Sequence, residues 1–301
     1  MSEPKTRARA RTNRIGRHLP TSGGLEKTLR LAREQELETV QIFVSNPQGW
    51  AVSVHRPDAE LFVEGAHEIG LEPIVVHAKY LINLASPDSE LQERSVRVLA
   101  AELIAAGSLG ADFVVVHSGS HAGSGEEKGM ERLVRGLAGA RELAAKEATT
   151  DGAANPAEPL VENSVGAGTQ LCCTFDALAE VAKRAGVGVC VDTAHSYVAG
   201  YDLSTPEGAQ EVAAELGATL GERLALLHLN DPRNGFRSQR DGHERIGEGH
   251  VSRGGWMELF KGLAGVPAVM ETPYATPETN AEQVRLAKEL AGGLPLSRRG
   301  V

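Results

Sequence analysis

Nine residues of types that ligate metal ions punctuate the chain where short apolar runs end: His77, His117, Glu162, Asp192, His195, His228, Asp241, His243 and Glu271. They include five of the ten histidines in the 301-residue chain and none of its three cysteines. PIVVH closes on His77, DFVVVH on His117, LALLH on His228 and PAVME on Glu271. An apolar run buried on both faces that ends in such a residue places it at the C-terminal rim of a parallel sheet, where α/β barrels hold their active sites. Imidazole mixed with carboxylate suits Zn²⁺ best, with Mn²⁺ as the alternative, and so many histidines argue against a site built for Mg²⁺ or Ca²⁺ alone. Nine donors suffice for more than one ion. The chemistry expected is hydrolysis at a multinuclear metal centre.

Taken singly, each of these residues has a plainer explanation. A histidine after an apolar run is often a buried, hydrogen-bonded core residue, and a glutamate there is often half of an ion pair. Recurrence at successive strand ends is what favours a ring of ligands. His55, His67, His121 and His250 lack that placement and read as surface or supporting residues. His18 ends the first strand and reads as a residue that orients a ligand.

The elements that must carry the ring alternate along the chain. Strand-like segments fall at 13–18, 39–44, 72–77, 112–117, 159–162, 187–192, 224–229 and 267–271. Helix-like stretches fall between and after them, at 25–37, 60–69, 89–109, 127–148, 174–185, 206–220, 252–263 and 277–290. Thr174 suits a helix N-cap, and Pro206 and Pro277 suit a first helical turn. The polar stretch 149–158 reads as a flexible connection. Eight strands alternating with eight helices specify an α/β fold, a (β/α)8 TIM barrel. It is expected as a single catalytic domain over 14–295, behind a flexible basic tail over 1–13.

No run of residues is long and apolar enough to span a bilayer, and the basic N-terminus lacks the apolar stretch of a secretory signal. A cytoplasmic protein without a membrane partner is expected. Cys172, Cys173 and Cys190 show no metal-binding spacing and read as reduced thiols. The net charge of −9 argues against a nucleic-acid partner only if bound ions are ignored. Three divalent cations against four carboxylate ligands would leave the pocket at roughly +2. The first 17 residues hold six Lys or Arg against Glu3 alone; this reads first as a solvated tail and second as a loose phosphate contact.

Longer strings carry a family likeness. HAKYLINLASP (77–87), HSGSH (117–121), VENSVGAG (161–168), GVCVDTAHSYVAGYDL (188–203), LLHLNDPR (226–233), DGHERIGEG (241–249) and METP (270–273) resemble the endonuclease IV family of apurinic/apyrimidinic endonucleases. SGGLEKTLRLA and FVSNPQGW resemble that family's first two segments, and the likeness runs from about residue 14 to about residue 290. It implies a barrel with three zinc ions: His77, His117 and Glu162 on the first; Glu162, Asp192, His228 and Glu271 on the second; His195, Asp241 and His243 on the third. It further implies Glu162 as the catalytic residue, and Asn46, Gln48, Tyr80 and Leu81 as DNA contacts, with Tyr80 and Leu81 entering the base stack. The implied partner is double-stranded DNA containing abasic sites. The implied reaction is zinc-dependent hydrolysis 5′ to the lesion in base excision repair, by a monomer, leaving a 3′-hydroxyl and a 5′-deoxyribose phosphate.

The chain departs from the family pattern at Gly242, where Arg is usual, at Ser118, where Pro is usual, at Gln48, where a basic residue is usual, and in IGRHLPTSGG. These positions bear on DNA grip more than on hydrolysis. Two other readings share the ring: a metal-dependent sugar isomerase or epimerase on the same barrel, and a protein that binds DNA lesions without cutting. The first gives no role to His195 with Asp241 and His243.

Overall fold

The computed structural model describes residues 12–54, 56–151 and 154–292. In chain order the elements are β1 Ile15–His18, α1 Leu25–Glu34, β2 Thr39–Ile42, α2 Ala59–Glu68, β3 Ile74–His77, α3 Ser89–Ser108, β4 Phe113–His117, α4 Glu126–Asp151, β5 Glu158–Glu162, α5 Phe175–Ala185, β6 Gly188–Asp192, α6 Thr193–Ala199, α7 Pro206–Thr219, β7 Leu224–His228, β8 Asp231–Pro232, β9 His243–Glu244, α8 Arg253–Gly262, β10 Ala268–Met270 and α9 Pro277–Leu290. Strands β1, β2, β3, β4, β5, β6, β7 and β10 pair in parallel and close into a barrel in that order, with β10 returning to β1. The (β/α)8 TIM barrel expected from the alternation is the fold found.

Alternation along each strand explains both the core and the rim. In extended backbone, residues two apart face the same side. Val75, Val115, Leu160, Cys190, Leu226 and Val269 form an apolar layer of their own inside the barrel. Two residues further along those strands stand His77, His117, Glu162, Asp192, His228 and Glu271. The interior plug of the barrel is thus the floor on which the polar ring rests. The outer faces of the strands pack under the helices: α1, for example, buries Leu25, Thr28, Leu31 and Ala32 along one stripe. The Thr174 side chain caps α5 at Ala177 N–H, and Pro206 and Pro277 open α7 and α9.

Several boundaries differ from expectation. β1 begins at Ile15, and Asn13 ahead of it is anchored by its side-chain amide, which donates to the Leu263 and Val266 carbonyls. Asn13, assigned to the tail, is therefore buried in the fold; residues 1–11 of that tail, His55 and residues 293–295 lie outside the described residues. Helix α4 runs to Asp151, so the expected flexible connection begins inside a helix. Two elements were not expected: the short helix α6, and the antiparallel ribbon of β8 with β9.

Gly16 faces the backbone of β2 at Thr39. A Cβ there would overlap the Thr39 carbonyl oxygen, which is backbone and cannot swing aside. Gly16→Ala is expected to cost roughly 1–3 kcal/mol through forced strand separation, a loss of about 2–12 °C in thermal midpoint. An unchanged midpoint in a thermal unfolding scan would contradict this reading of the β1–β2 contact.

Candidate metal centre

Five of the nine expected residues end barrel strands, Glu271 directly follows β10, and the other three come from the unexpected α6 and β8–β9 segments. Asp192 ends β6 and also caps α6: its Oδ1 accepts the His195 N–H at 2.8 Å. That cap fixes the first turn of the helix, so His195 is presented over the rim. His243 opens β9 of the ribbon, and Asp241 comes in on the loop just before it. The ribbon's base is tied down by buried Asp231, whose carboxylate accepts the N–H groups of Gly247 at 2.8 Å and Val251 at 3.0 Å.

Glu162 is the hub. Its Oε2 lies 3.4 Å from His117 Nε2 and 3.8 Å from His77 Nε2, while its Oε1 lies 2.8 Å from His228 Nδ1. One buried carboxylate therefore serves two groups of donors, one per oxygen. His228 Nδ1 is also 3.3 Å from Glu271 Oε2. Asp241 Oδ1 sits between two imidazoles, 3.3 Å from His195 Nε2 and 3.2 Å from His243 Nε2.

Three sets of donor atoms come close enough together to share an ion each: His77, His117 and Glu162; Glu162, Asp192, His228 and Glu271; and Asp192, His195 and His243. The first two match the expected sets. The third brings in Asp192, whose Oδ2 lies 3.7 Å from His243 Nε2, with Asp241 beside it on the outer side. A second carboxylate near that position follows from the double duty of Asp192 as strand end and helix cap.

The donor set fits divalent cations. Glu162 Oε2 and His243 Nε2 are buried without a hydrogen-bond partner, a costly state that a cation would relieve. Two imidazoles are already held in the tautomer a metal requires. His77 Nδ1 donates to the Ala78 carbonyl at 2.7 Å, leaving Nε2 toward Glu162. His195 Nδ1 donates to the Asn163 carbonyl at 3.0 Å, leaving Nε2 toward Asp241.

Without ions, protons do the balancing. Burial alone would lower the His228 pKa, but Cys190, Glu271 and Glu162 raise it well above the ordinary value. Burial alone would raise Glu162, but His228 and the other imidazoles hold it well below the carboxylate range. Glu271 is similarly held at about 2, burial being outweighed by His228 and His77. Burial is again outweighed at His195, raised to about 10, and His243, raised to about 9, by the charge of Asp192 and by Asp241.

Two asparagines that the sequence patterns do not single out hold the ligands, and a lysine holds the neighbouring loop. Asn230 Nδ2 donates to Asp192 Oδ2 at 2.6 Å and to Glu271 Oε2 at 3.3 Å. Asn163 Oδ1 accepts the Asp192 N–H at 2.7 Å. Lys79, almost wholly buried, donates through Nζ to Ser45 Oγ at 2.5 Å and the Asn46 carbonyl at 2.6 Å. Its own N–H is held by Glu102, whose pKa burial pushes up to about 7. The usable signal for Asn163 and Asn230 is their position, each directly beside a strand-end run. Lys79 has none.

A cavity of about 580 Å³ opens over the donors, with Arg17, Phe43, Tyr80 and Tyr274 in its walls. Tyr80 is 55% exposed at the mouth, 5.9 Å from the His117 ring and 5.5 Å from Phe43. Leu81 is half-buried behind it, and Asn46 and Gln48 are exposed on the neighbouring loop. Asn46 Oδ1 is already spent on the Gln48 N–H at 3.0 Å. Ser118 is buried and donates to the Leu171 carbonyl at 2.7 Å, so it shapes the loop instead of facing the cavity. His18 lies inside the ring, 3.0 Å from the Gln41 amide, as an orienting residue would.

The family described as xylose isomerase-like TIM barrel matches residues 29–290. A probable endonuclease 4 of Carboxydothermus hydrogenoformans is 35% identical, the alignment covering 94% of this chain and 99% of that protein. One from Cenarchaeum symbiosum is 36% identical over 92% and 99%. The structure of endonuclease IV from Thermus thermophilus superposes with a TM-score of 0.80 at 32% identity, covering 93% of this chain and 99% of that one. A D-tagatose 3-epimerase-like protein, 20% identical over 93% and 98%, superposes with a TM-score of 0.68, a likeness of fold alone.

The charge balance predicts how stability depends on pH. The raised pKa values of His195 and His243 contribute stability that is complete below 6.5 and lost as pH climbs toward 9–10. Asp241, depressed by the two imidazoles it faces, contributes stability present above 3.8 and lost as pH falls through that value and below. Chelator-treated protein should therefore unfold at its highest temperature between about pH 4 and 6.5. Zinc added at pH 8 to a hundred times Kd should restore about 2.7 kcal/mol per site, roughly 5–10 °C. A metal-free midpoint that keeps rising to pH 9, or one that zinc leaves unmoved, would overturn this account.

Proposed function

The chain belongs to the endonuclease IV family of xylose isomerase-like TIM barrels, and from that premise we propose that it hydrolyses the DNA phosphodiester 5′ to an abasic site. The products would be a 3′-hydroxyl and a 5′-deoxyribose phosphate. The observation that carries this reading is Glu162, whose two oxygens face two separate groups of donors across one cavity.

We assign three zinc ions to the site, with Mn²⁺ as the alternative. His77, His117 and Glu162 would hold the first, and Glu162, Asp192, His228 and Glu271 the second. His195, Asp241 and His243 would hold the third, with Asp192 within reach. When bound, the ions supply Lewis acidity toward the phosphoryl oxygens and activate water for in-line attack.

The chain's own residues do the positioning. Glu162 fixes the spacing between the first two positions because one rigid carboxylate spans both. Asp192 stands in both the second and the third donor sets; its Oδ1 caps α6 under His195 and its Oδ2 lies toward His243. The walled cavity admits a sugar and phosphate turned out of the duplex but not a stacked base pair. Tyr80 at its mouth, with Leu81 next to it in the chain, would fill the gap left in the stack. An abasic nucleotide is already unstacked, so turning it out costs less than for an intact one. Lys79 ties the Asn46–Gln48 loop to the Tyr80–Leu81 loop, so both DNA-facing segments move as one body. The single domain over 14–295 would act as a cytoplasmic monomer, since one chain supplies the whole donor set.

The test uses a duplex carrying one tetrahydrofuran abasic analogue. Zinc-loaded protein should nick it cleanly on the 5′ side, chelation should stop the reaction, and Glu162→Gln should lower the rate by roughly 10³-fold or more, as removal of a central charge-stabilising group does. Binding without incision at any metal composition would point instead to a lesion-binding protein. Turnover of a ketose without nicking would point to an epimerase.

A further inference from the structure

Gln41 is fully buried at the interior rim of β2, where its strand register sets it beside His18 on one side and Val75 on the other. It occupies on β2 the place that a donor residue occupies on each strand from β3 to β7. Its amide is fully committed. Nε2 donates to Glu271 Oε1 at 2.6 Å and lies 3.0 Å from His18 Nδ1, and Oε1 lies 2.8 Å from His228 Nε2.

The orientation of that amide follows from chemistry. An ionised carboxylate only accepts, so the amide NH₂ must face Glu271 and the amide oxygen must face His228. An amide oxygen only accepts as well, so His228 Nε2 carries a proton. Nδ1 is thereby the nitrogen turned toward the donor set, 2.8 Å from Glu162 Oε1 and 3.3 Å from Glu271 Oε2: it donates to Glu162 in the ion-free protein and would give its lone pair to an ion bound there. His77 and His195 are held in their tautomers by backbone carbonyls, which no substitution removes. His228 depends on a side chain.

We propose that Gln41 is a positioning residue of the metal centre: it fixes His228 as the Nε2–H tautomer and steers Glu271, so that both present donor atoms to the second ion position. This rests on the metal-dependent reading above. It concerns a residue that touches neither ion nor substrate and acts only through its neighbours.

The experiment compares wild-type protein with Gln41→Met, which keeps side-chain length and volume, and Gln41→Glu, which keeps an acceptor opposite His228 Nε2. Zinc content and affinity are read by elemental analysis and chelator competition, and the tautomer of each histidine by two-bond ¹H–¹⁵N correlation of ¹⁵N-histidine-labelled protein. Wild-type protein should show His228 protonated at Nε2 and zinc-bound at Nδ1. Gln41→Met should weaken one zinc site by roughly 10–100-fold and lose that His228 pattern, with His77 and His195 unchanged. Gln41→Glu should keep it. Wild-type zinc affinity and an unchanged His228 pattern in Gln41→Met would overturn the proposal, as would an Nδ1–H tautomer in Gln41→Glu, which decides the matter if the Met variant does not fold. If wild-type protein takes up no zinc, or His228→Ala binds as many ions as wild type, the metal-dependent reading fails and this inference falls with it.

Discussion

Buried negative charge is the constraint from which this structure is built. Glu162 and Asp192 are almost wholly inaccessible, Glu271 is mostly so, and Asp241 stands at their edge. Carboxylates withdrawn from water and set beside one another are tolerated only when cations share them. The imidazoles provide that balance as proton carriers, which is why the pKa values of His77, His195, His228 and His243 move up while Glu162, Glu271 and Asp241 move down. Divalent ions satisfy the same requirement with more charge in less space. The unpartnered Glu162 Oε2 and His243 Nε2 are the atoms that protons alone leave unserved.

The barrel meets this constraint with period-two geometry. An apolar side chain two residues before each barrel-borne ligand plugs the interior, so the ligand cannot sink and water cannot approach from below. Ligands placed this way inherit the stiffness of a closed parallel sheet. His195, Asp241 and His243 do not. They depend on a helix one turn of which is set by Asp192, and on a ribbon two residues wide held by Asp231. The first two ion positions are consequently a property of the barrel, and the third a property of loops anchored to it.

That division also explains what is legible in the sequence. A run such as DFVVVH is a one-dimensional pattern, and its meaning survives folding because strand direction and rim position are fixed by the run itself. Gln41 carries the same signal, a polar residue two beyond Thr39. The apolar pattern continues to Val44, however, which moves the expected polar end to Asn46, a residue that is exposed and engaged with Gln48. Helix α6 is hidden because Asp192 already has a role as a strand end, and a residue doing two jobs is counted once. Strands of two residues carry no periodicity at all, so the ribbon cannot be read. The contacts of Lys79 join positions more than 30 residues apart and leave no local trace.

The acidic chain sharpens what recognition must involve. A net charge of −9 repels a polyanion over most of the surface, and Gln48 and Gly242 supply no cation where the family pattern has one. Attraction to the phosphate backbone is then concentrated where ions would offset the carboxylates, at the bottom of a walled cavity. Intact duplex cannot bring a phosphate there without unstacking a base, whereas an abasic nucleotide can turn in at low cost. On the proposed reading, discrimination would rest on deformation, because the strongest attraction would be open only to a strand that can turn a nucleotide into the cavity. The buried Lys79 fits this division of labour. It is a cation spent on tying the Ser45–Asn46 segment to the chain that follows His77, a contact that would keep the proposed DNA-facing loops in register.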